Sequence, residues 1–327
     1  VVAALGRDRP GATGSPRMAA RSAVFPPSVA TPRPWRARLR QMPAAVALLP
    51  SGLVVLIVYL GCMLWTVRLS MTSSKLLPVF DFVGLDQYRR LLANDRFLIS
   101  VQNILTFGVL FILGALVLGF LLAVFIDQRV RAESLFRTVF LFPYAMSFVV
   151  TGLAWQWLLN PTLGLQKLVR DAGFAEFTFD WIVQRDMVVY TLVIAALWQA
   201  SGLVMAILLA GLRGVDADLW KATRVDGIPT WRVYLSIILP LLRPMVITAT
   251  VLLSVQVVKL YDLVVAMTKG GPGVASEVPA KFVMDHLFQR GNVGLATACA
   301  TVMLITVIAI LSPWLYAQYG PQRRGRR

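Results

Sequence analysis

Only two cysteines, Cys62 and Cys299, and one histidine, His286, occur in the 327 residues. They support neither a disulfide framework nor a zinc site, and no His, Cys and carboxylate cluster has metal-ligand spacing. The phosphate-cradling pattern GxxxxGK followed by Ser or Thr is missing too, so the chain cannot hydrolyse ATP by itself. No nucleophile is paired with a base, so no catalytic residue is assigned and the chain is read as a non-enzyme. Charge is also scarce. Charged residues make up 15% of the chain against 57% hydrophobic, with a mean hydropathy of +0.70. A soluble domain of this length carries more polar surface.

What the chain has instead is long apolar runs. Six windows reach the ~20 residues needed to cross a ~30 Å hydrocarbon core. They are Pro43–Met71, Asn103–Ile126, Leu135–Leu159, Met187–Leu212, Met245–Met267 and Val293–Tyr316. The predicted fold class is therefore an all-α integral membrane protein with six transmembrane helices. Both cysteines fall inside spans and are expected to be buried free thiols.

The formal charge of +16 could point to a polyanion, but its distribution points to topology. Arg33, Arg36, Arg38 and Arg40 precede the first span, and Arg129, Arg131 and Arg137 lie between spans two and three. Arg213, Lys221, Arg224 and Arg232 lie between spans four and five, and Arg323, Arg324, Arg326 and Arg327 end the chain. These are alternate loops, so the positive-inside rule places both termini and both loops in the cytoplasm. No nucleic-acid partner is needed to explain the charge. The Pro-, Ala- and Arg-rich segment 1–42 is expected to be disordered, with Met18 as a candidate start and no secretory signal pattern. A six-span domain follows at 43–317, then a basic cytoplasmic tail at 318–327.

The loop at about 214–240 is patterned where most inter-span loops are featureless. Asp216 or Asp218 can cap a helix carrying Leu219, Ala222 and Val225 at helical spacing. Gly227 supplies a C-cap, and Pro229 blocks simple continuation. A second helix then starts at Thr230, and Pro240 and Pro244 precede span five. Such a helix–Gly–helix is either a rigid knob for a soluble partner or an amphipathic pair resting on headgroups.

The stretch DLWKATRVDGIPTWRVYLSIILPLLRP resembles the cytoplasmic EAA loop of membrane subunits in binding-protein-dependent ABC importers. Ala222, Asp226, Gly227, Tyr234, Ile237, Leu239 and Pro240 fit that pattern. Lys221 replaces the usual Glu and Thr223 the second Ala, which reverses a charge on the docking surface. The resemblance implies that Leu219, Lys221, Ala222, Arg224, Asp226, Gly227 and Pro240 belong to a coupling loop. Its first helix, Leu219 to Val225, would dock on an ATPase.

Other stretches are similar to the maltose-, glycerol-phosphate- and glucose-type permeases of that family. They are FVGLDQY at Phe82–Tyr88, NILTF at Asn103–Phe107, PYAMSFVVTGLAWQWLLNPTLGL at Pro143–Leu165 and KLYDLVVAMTKGGPG at Lys259–Gly273. The resemblance implies a bacterial cytoplasmic-membrane permease for glucose or a similar monosaccharide, working by alternating access. It implies a second permease, two ATPase subunits using ATP and Mg, and an extracytoplasmic solute-binding protein, with no cofactor on this chain. Glycerol 3-phosphate or another small carbohydrate is the alternative cargo. An ion-coupled secondary transporter and a non-transporting scaffold are the rival classes.

Polar groups inside spans mark the candidate substrate path. Gln256, Lys259 and Asp262 recur every three residues, with Tyr261 beside them, and would share one face of span five. Lys259 and Asp262 either pair internally to fix packing or line the path. Trp155, Gln156, Trp198 and Gln199 can stack on a pyranose ring or bind vicinal hydroxyls, whereas Trp157 and Trp181 read as interfacial anchors. The maltose-type landmark falls on Leu253, Gln256, Val257 and Leu260, of which only Gln256 is polar. His286 is expected in a solvated loop.

Overall fold

A computed structural model describes residues 48–76, 79–128 and 131–319. The segment 1–42 and the tail beyond residue 319 lie outside the described residues. The chain divides into two compact units, Val1–Tyr59 and Leu60–Arg327. Residues 48–59, the described part of the first, are helical and exposed.

Among the described residues the secondary structure is helical, with one isolated bridge between Thr72 and Phe82. Four helices are long and apolar enough to cross a membrane: α1 (Leu48–Leu69), α3 (Asp95–Asp127), α7 (Val188–Arg213) and α13 (Val293–Tyr319). Two bent pairs are together long and apolar enough as well, which gives up to six spans if each pair is one span. One is α4 (Glu133–Ala145) with α5 (Phe148–Leu158), bent by 99°, and the other is α9 (Thr230–Leu241) with α10 (Arg243–Val258), bent by 71°. Shorter helices fill the connections: α2 (Asp86–Leu92), α6 (Leu165–Asp171), α8 (Ala217–Val225), α11 (Asp262–Met267) and α12 (Pro279–Met284).

The sequence periodicity of α3 explains its two environments. Phe107, Phe111, Ala115, Gly119 and Ala123 recur every four residues and are buried against α7. Leu105, Val109, Leu113, Val117 and Leu121 recur at the same spacing and are all more than half exposed. A water-soluble helix would not expose that second stripe, whereas lipid or another apolar helix tolerates it. Small residues on the inner stripe let the backbones approach. A Cβ placed on Gly119 would lie 2.5 Å from Val204 Cγ1.

The closest approach is between α7 and α4. A Cβ on Gly202 would sit 2.0 Å from the Phe140 carbonyl oxygen, which is backbone and cannot swing aside. At Gly114 the obstacle is only the end of the Leu197 side chain, at 2.8 Å. Gly202→Ala is expected to cost at least the 1–3 kcal/mol typical of overpacking, and Gly114→Ala distinctly less. Thermal unfolding of the two variants in detergent checks the ranking.

The third predicted span is not straight. The break falls at Met146 and Ser147, where Met146 is extended and Ser147 Oγ accepts the Val150 N–H to start α5. Pro143 lies just before the break and cannot donate to the helical ladder. In an apolar medium the Met146 carbonyl this exposes needs a donor. Gln199 Nε2 on α7 supplies it at 2.7 Å.

Span five also stops short of its predicted end. Helix α10 ends at Val258, residues 259–261 form turns, and α11 begins at Asp262. Of the two cysteines, Cys299 is buried as expected, but Cys62 is exposed on the apolar surface of α1.

Candidate functional site

Helix α8 is built by local capping at both ends. Asp216 Oδ1 accepts the Asp218 N–H at 2.9 Å and starts it. At the other end Gly227 adopts φ +66°, its N–H bonds the Arg224 carbonyl, and the Ile228 N–H reaches back to the Thr223 carbonyl. That pair of bonds is a Schellman motif, which glycine closes without left-handed strain. Asp226 is the C-cap residue and is exposed.

One face of α8 is fixed to the bundle. The Trp220 ring meets Tyr234 edge-on at 5.4 Å, Tyr234 Oη donates to Asp127 Oδ2 at the end of α3, and Thr223 is buried. Leu219, the first residue of the expected docking helix, is half-buried against the main core. Thr223 follows Leu219 by four residues and Trp220 by three, so the three share one inward arc of the helix. Lys221, Ala222, Arg224 and Val225 are exposed, and Lys221 Nζ is 2.7 Å from Asp218 Oδ1. Pro240 sits at the end of α9, beside the bend into α10. The result is a short rigid helix held out from the bundle.

The polar residues expected along the substrate path separate in the structure. Gln256 lies on α10, Lys259 is its C-cap and Asp262 opens α11, with half-buried Tyr261 in the turn between. The three do not share one helix face, because the chain leaves helical geometry where an i+3 relation would be needed. Lys259 and Asp262 are exposed and do not pair, and neither has an ionic partner among the described residues. Trp155 and Trp198 do meet, edge-on at 6.0 Å, and Gln156 is half-buried beside them in sequence. Gln199 is nine-tenths buried and its amide nitrogen is spent on Met146. Among the described residues three buried acceptors lack a partner: Thr151 Oγ1, Gln199 Oε1 and Gln256 Oε1.

A cluster not expected from the sequence lies at the opposite end of the helices from α8. Arg96, at the start of α3, bonds Glu277 Oε1 at 2.8 Å and also Asp285, while Lys281 Nζ reaches Asp285 Oδ2 at 2.6 Å. All four side chains are less than a fifth exposed, and Glu277 only 1%. Burial pushes the Glu277 carboxyl above the usual range, more than Arg96 pulls it down. At Asp285 burial acts the same way, but hydrogen bonds from Lys281 and Arg96 outweigh it and hold the carboxyl low. Asn103 adds a neutral clamp, donating to the Ala275 and Glu277 carbonyls at 2.9 Å each.

Residues 115–325 match the family described as the binding-protein-dependent transport system inner membrane component. The chain belongs to that family. It is 34% identical over 279 residues to a probable ABC transporter permease protein of Pyrococcus horikoshii, covering 85% of this chain and 96% of that one. It is 34% identical to a xylose/arabinose import permease protein of Haloferax volcanii, covering 74% and 76% of the two chains. A glycerol-3-phosphate transport system permease protein of Agrobacterium fabrum is 30% identical over 70% and 78%. The fold matches a bacterial ABC transporter involved in alginate import, with a TM-score of 0.74 and 18% identity over 89% and 99%. This permease is thus a multi-pass transport component of the ABC importer class, all-helical and not an enzyme.

The ion-pair cluster of the permease joins one local pair to one distant pair. Lys281 and Asp285 stand four apart, a helical ion-pair spacing that was legible. Arg96 and Glu277 were not, being 181 residues apart. His286 is a correction: it lies between spans as expected, but is buried in a π-helical turn with its ring 3.9 Å from that of Phe282. The turn packs it inward because Nδ1–H can donate to the Phe282 carbonyl at 2.9 Å.

Burial holds the His286 imidazole below its ordinary 6.5, with Arg290 and Arg96 adding to the effect and the Phe282 bond opposing it. The unfolded chain therefore takes up the proton first. Stability contributed by neutral His286 is present above about pH 6.5 and is lost as pH falls through the folded pKa. Protection factors of the amides at residues 282–292, taken against the intrinsic exchange rate at each pH, are expected to fall on acidification. His286→Phe, which keeps a ring against Phe282, should flatten that dependence.

Proposed function

We propose that this permease carries a neutral sugar, glucose or a similar monosaccharide, into a bacterial cell by alternating access. The observation that carries the coupling half of this reading is α8, short, capped at both ends, pinned on one face and exposed on the other. Such a helix transmits displacement instead of absorbing it. Lys221, Ala222, Arg224 and Asp226 form its docking face, while Gly227 and Pro240 set its geometry. Two ATPase subunits using ATP and Mg dock there, a second permease completes the pore, and a solute-binding protein delivers cargo. Both termini lie in the cytoplasm. The xylose/arabinose relative supports a monosaccharide. So do the unpartnered Gln256 and Gln199 oxygens, which suit hydroxyl donors passing through.

One observation favours a second cargo. Lys259 is exposed and unpaired among the described residues, so a cation is available to an anionic substrate such as glycerol 3-phosphate. Uptake of labelled D-glucose, D-xylose and glycerol 3-phosphate by the complete complex in liposomes separates the two. For a sugar carrier, Lys259→Met should leave uptake within about twofold. For an anion carrier, loss of a charged hydrogen bond worth about 1.5–3 kcal/mol should reduce uptake at least tenfold.

A further inference from the structure

A cavity of about 400 Å³ opens on the same side as the Arg96 cluster, at the opposite ends of the helices from α8. Its walls are the first turns of α3, the approach to α7 and the loop at Val274 and Ala275. Six polar side chains line it: Gln102, Asn103, Thr106, Arg185, Asp186 and Tyr190. The volume falls within the range of small-ligand sites.

Two properties distinguish this cavity from an ordinary surface dent. Its loop wall is fixed: Asn103 holds the Ala275 and Glu277 carbonyls, and the Glu277 carboxylate is itself held by Arg96. Gly273, at φ +63°, lies under the Arg185 guanidinium, where a Cβ would be 3.1 Å from a terminal nitrogen. Its donors and acceptors are also unspent. Among the described residues the exposed side chains of Gln102, Arg185, Asp186 and Tyr190 and the half-buried Thr106 have no hydrogen-bond partner, and Asn103 Oδ1 is likewise uncommitted.

We propose that this cavity is an outer carbohydrate-binding site, which holds the sugar before it reaches Gln256 and the interior of the bundle. Asp186 accepts from two neighbouring hydroxyls, Arg185 and Gln102 donate to ring and hydroxyl oxygens, and Tyr190 covers an apolar C–H face. Adjacent opposite charges suit a neutral polyol, since an anion would be attracted by Arg185 and repelled by Asp186. The ligand class rests on the sugar-importer reading above. The site's geometry does not.

The test uses the complete complex in nanodiscs with its binding protein. Uptake of D-glucose and D-xylose by the unmodified complex is measured first, and failure to move either overturns the monosaccharide reading and this site with it. Saturation-transfer NMR then follows both sugars on the complex without binding protein. Asp186→Asn and Tyr190→Leu are expected to weaken the sugar signal and slow uptake about tenfold. Gln256→Leu should leave the NMR signal in place. Unaltered sugar signals in the Asp186 and Tyr190 variants would overturn the outer site alone. A selective loss of binding-protein affinity would also overturn it, and would make the cavity a docking surface.

Discussion

Replacing Gly227 with valine is expected to disconnect transport from ATP hydrolysis while leaving the membrane bundle intact. The backbone at this position has φ +66°, and no atom lies within 4 Å of a Cβ built there. The obstacle is therefore conformational, not steric. A β-branched residue in the left-handed region costs about 1–2 kcal/mol, enough to open a turn held by two backbone bonds. Once the Schellman turn opens, α8 can fray, and displacement at its exposed face no longer reaches Tyr234 and α3. Sugar-stimulated ATPase activity of the assembled complex should fall about five- to thirtyfold, since about 1.4 kcal/mol is a factor of ten. Gly227→Asn is the control, because asparagine tolerates this conformation far better than valine. Stimulated activity retained in the valine variant would refute the coupling role of α8.

Replacing Arg96 with methionine is expected to be the most destabilising change on the opposite face. It leaves Glu277, 1% exposed, without its cation, and leaves Asp285 with Lys281 alone. Removing one partner of a buried ion pair costs about 3–5 kcal/mol, because the remaining charge stays desolvated. The loss should appear as a lower thermal midpoint and as faster amide exchange across residues 270–290, the segment clamped by Glu277, Lys281 and Asp285. Adding Glu277→Gln to the Arg96 variant should recover much of the loss, since the stranded charge is then gone. If the double variant were no more stable than the single, the cluster would not act as a unit. The elevated Glu277 carboxyl points the same way, as burial already works against its ionised form.

The legibility of this protein in its sequence divides along chain separation. The α8 turn was readable because every group in it lies within about a dozen residues, and Asp216 and Gly227 have local jobs. The expectation for Gln199 went differently. Its polarity inside a span marked it as a path residue, yet its nitrogen serves the carbonyl exposed by the break at Met146, 53 residues away. The spacing of Gln256, Lys259 and Asp262 misled for a related reason. A shared face assumes a continuous helix, and the chain turns at Lys259.

By itself the sequence determined the spans and the capped loop, because hydropathy and capping depend on short stretches meeting lipid or their own backbone. Only the tertiary structure decided where spans bend, which polar atoms stay unpartnered, and that Arg96 meets Asp285 across 189 residues. Those outcomes depend on which helices pack together. In an apolar medium a broken helix or a buried charge survives only where a distant part of the chain supplies its partner.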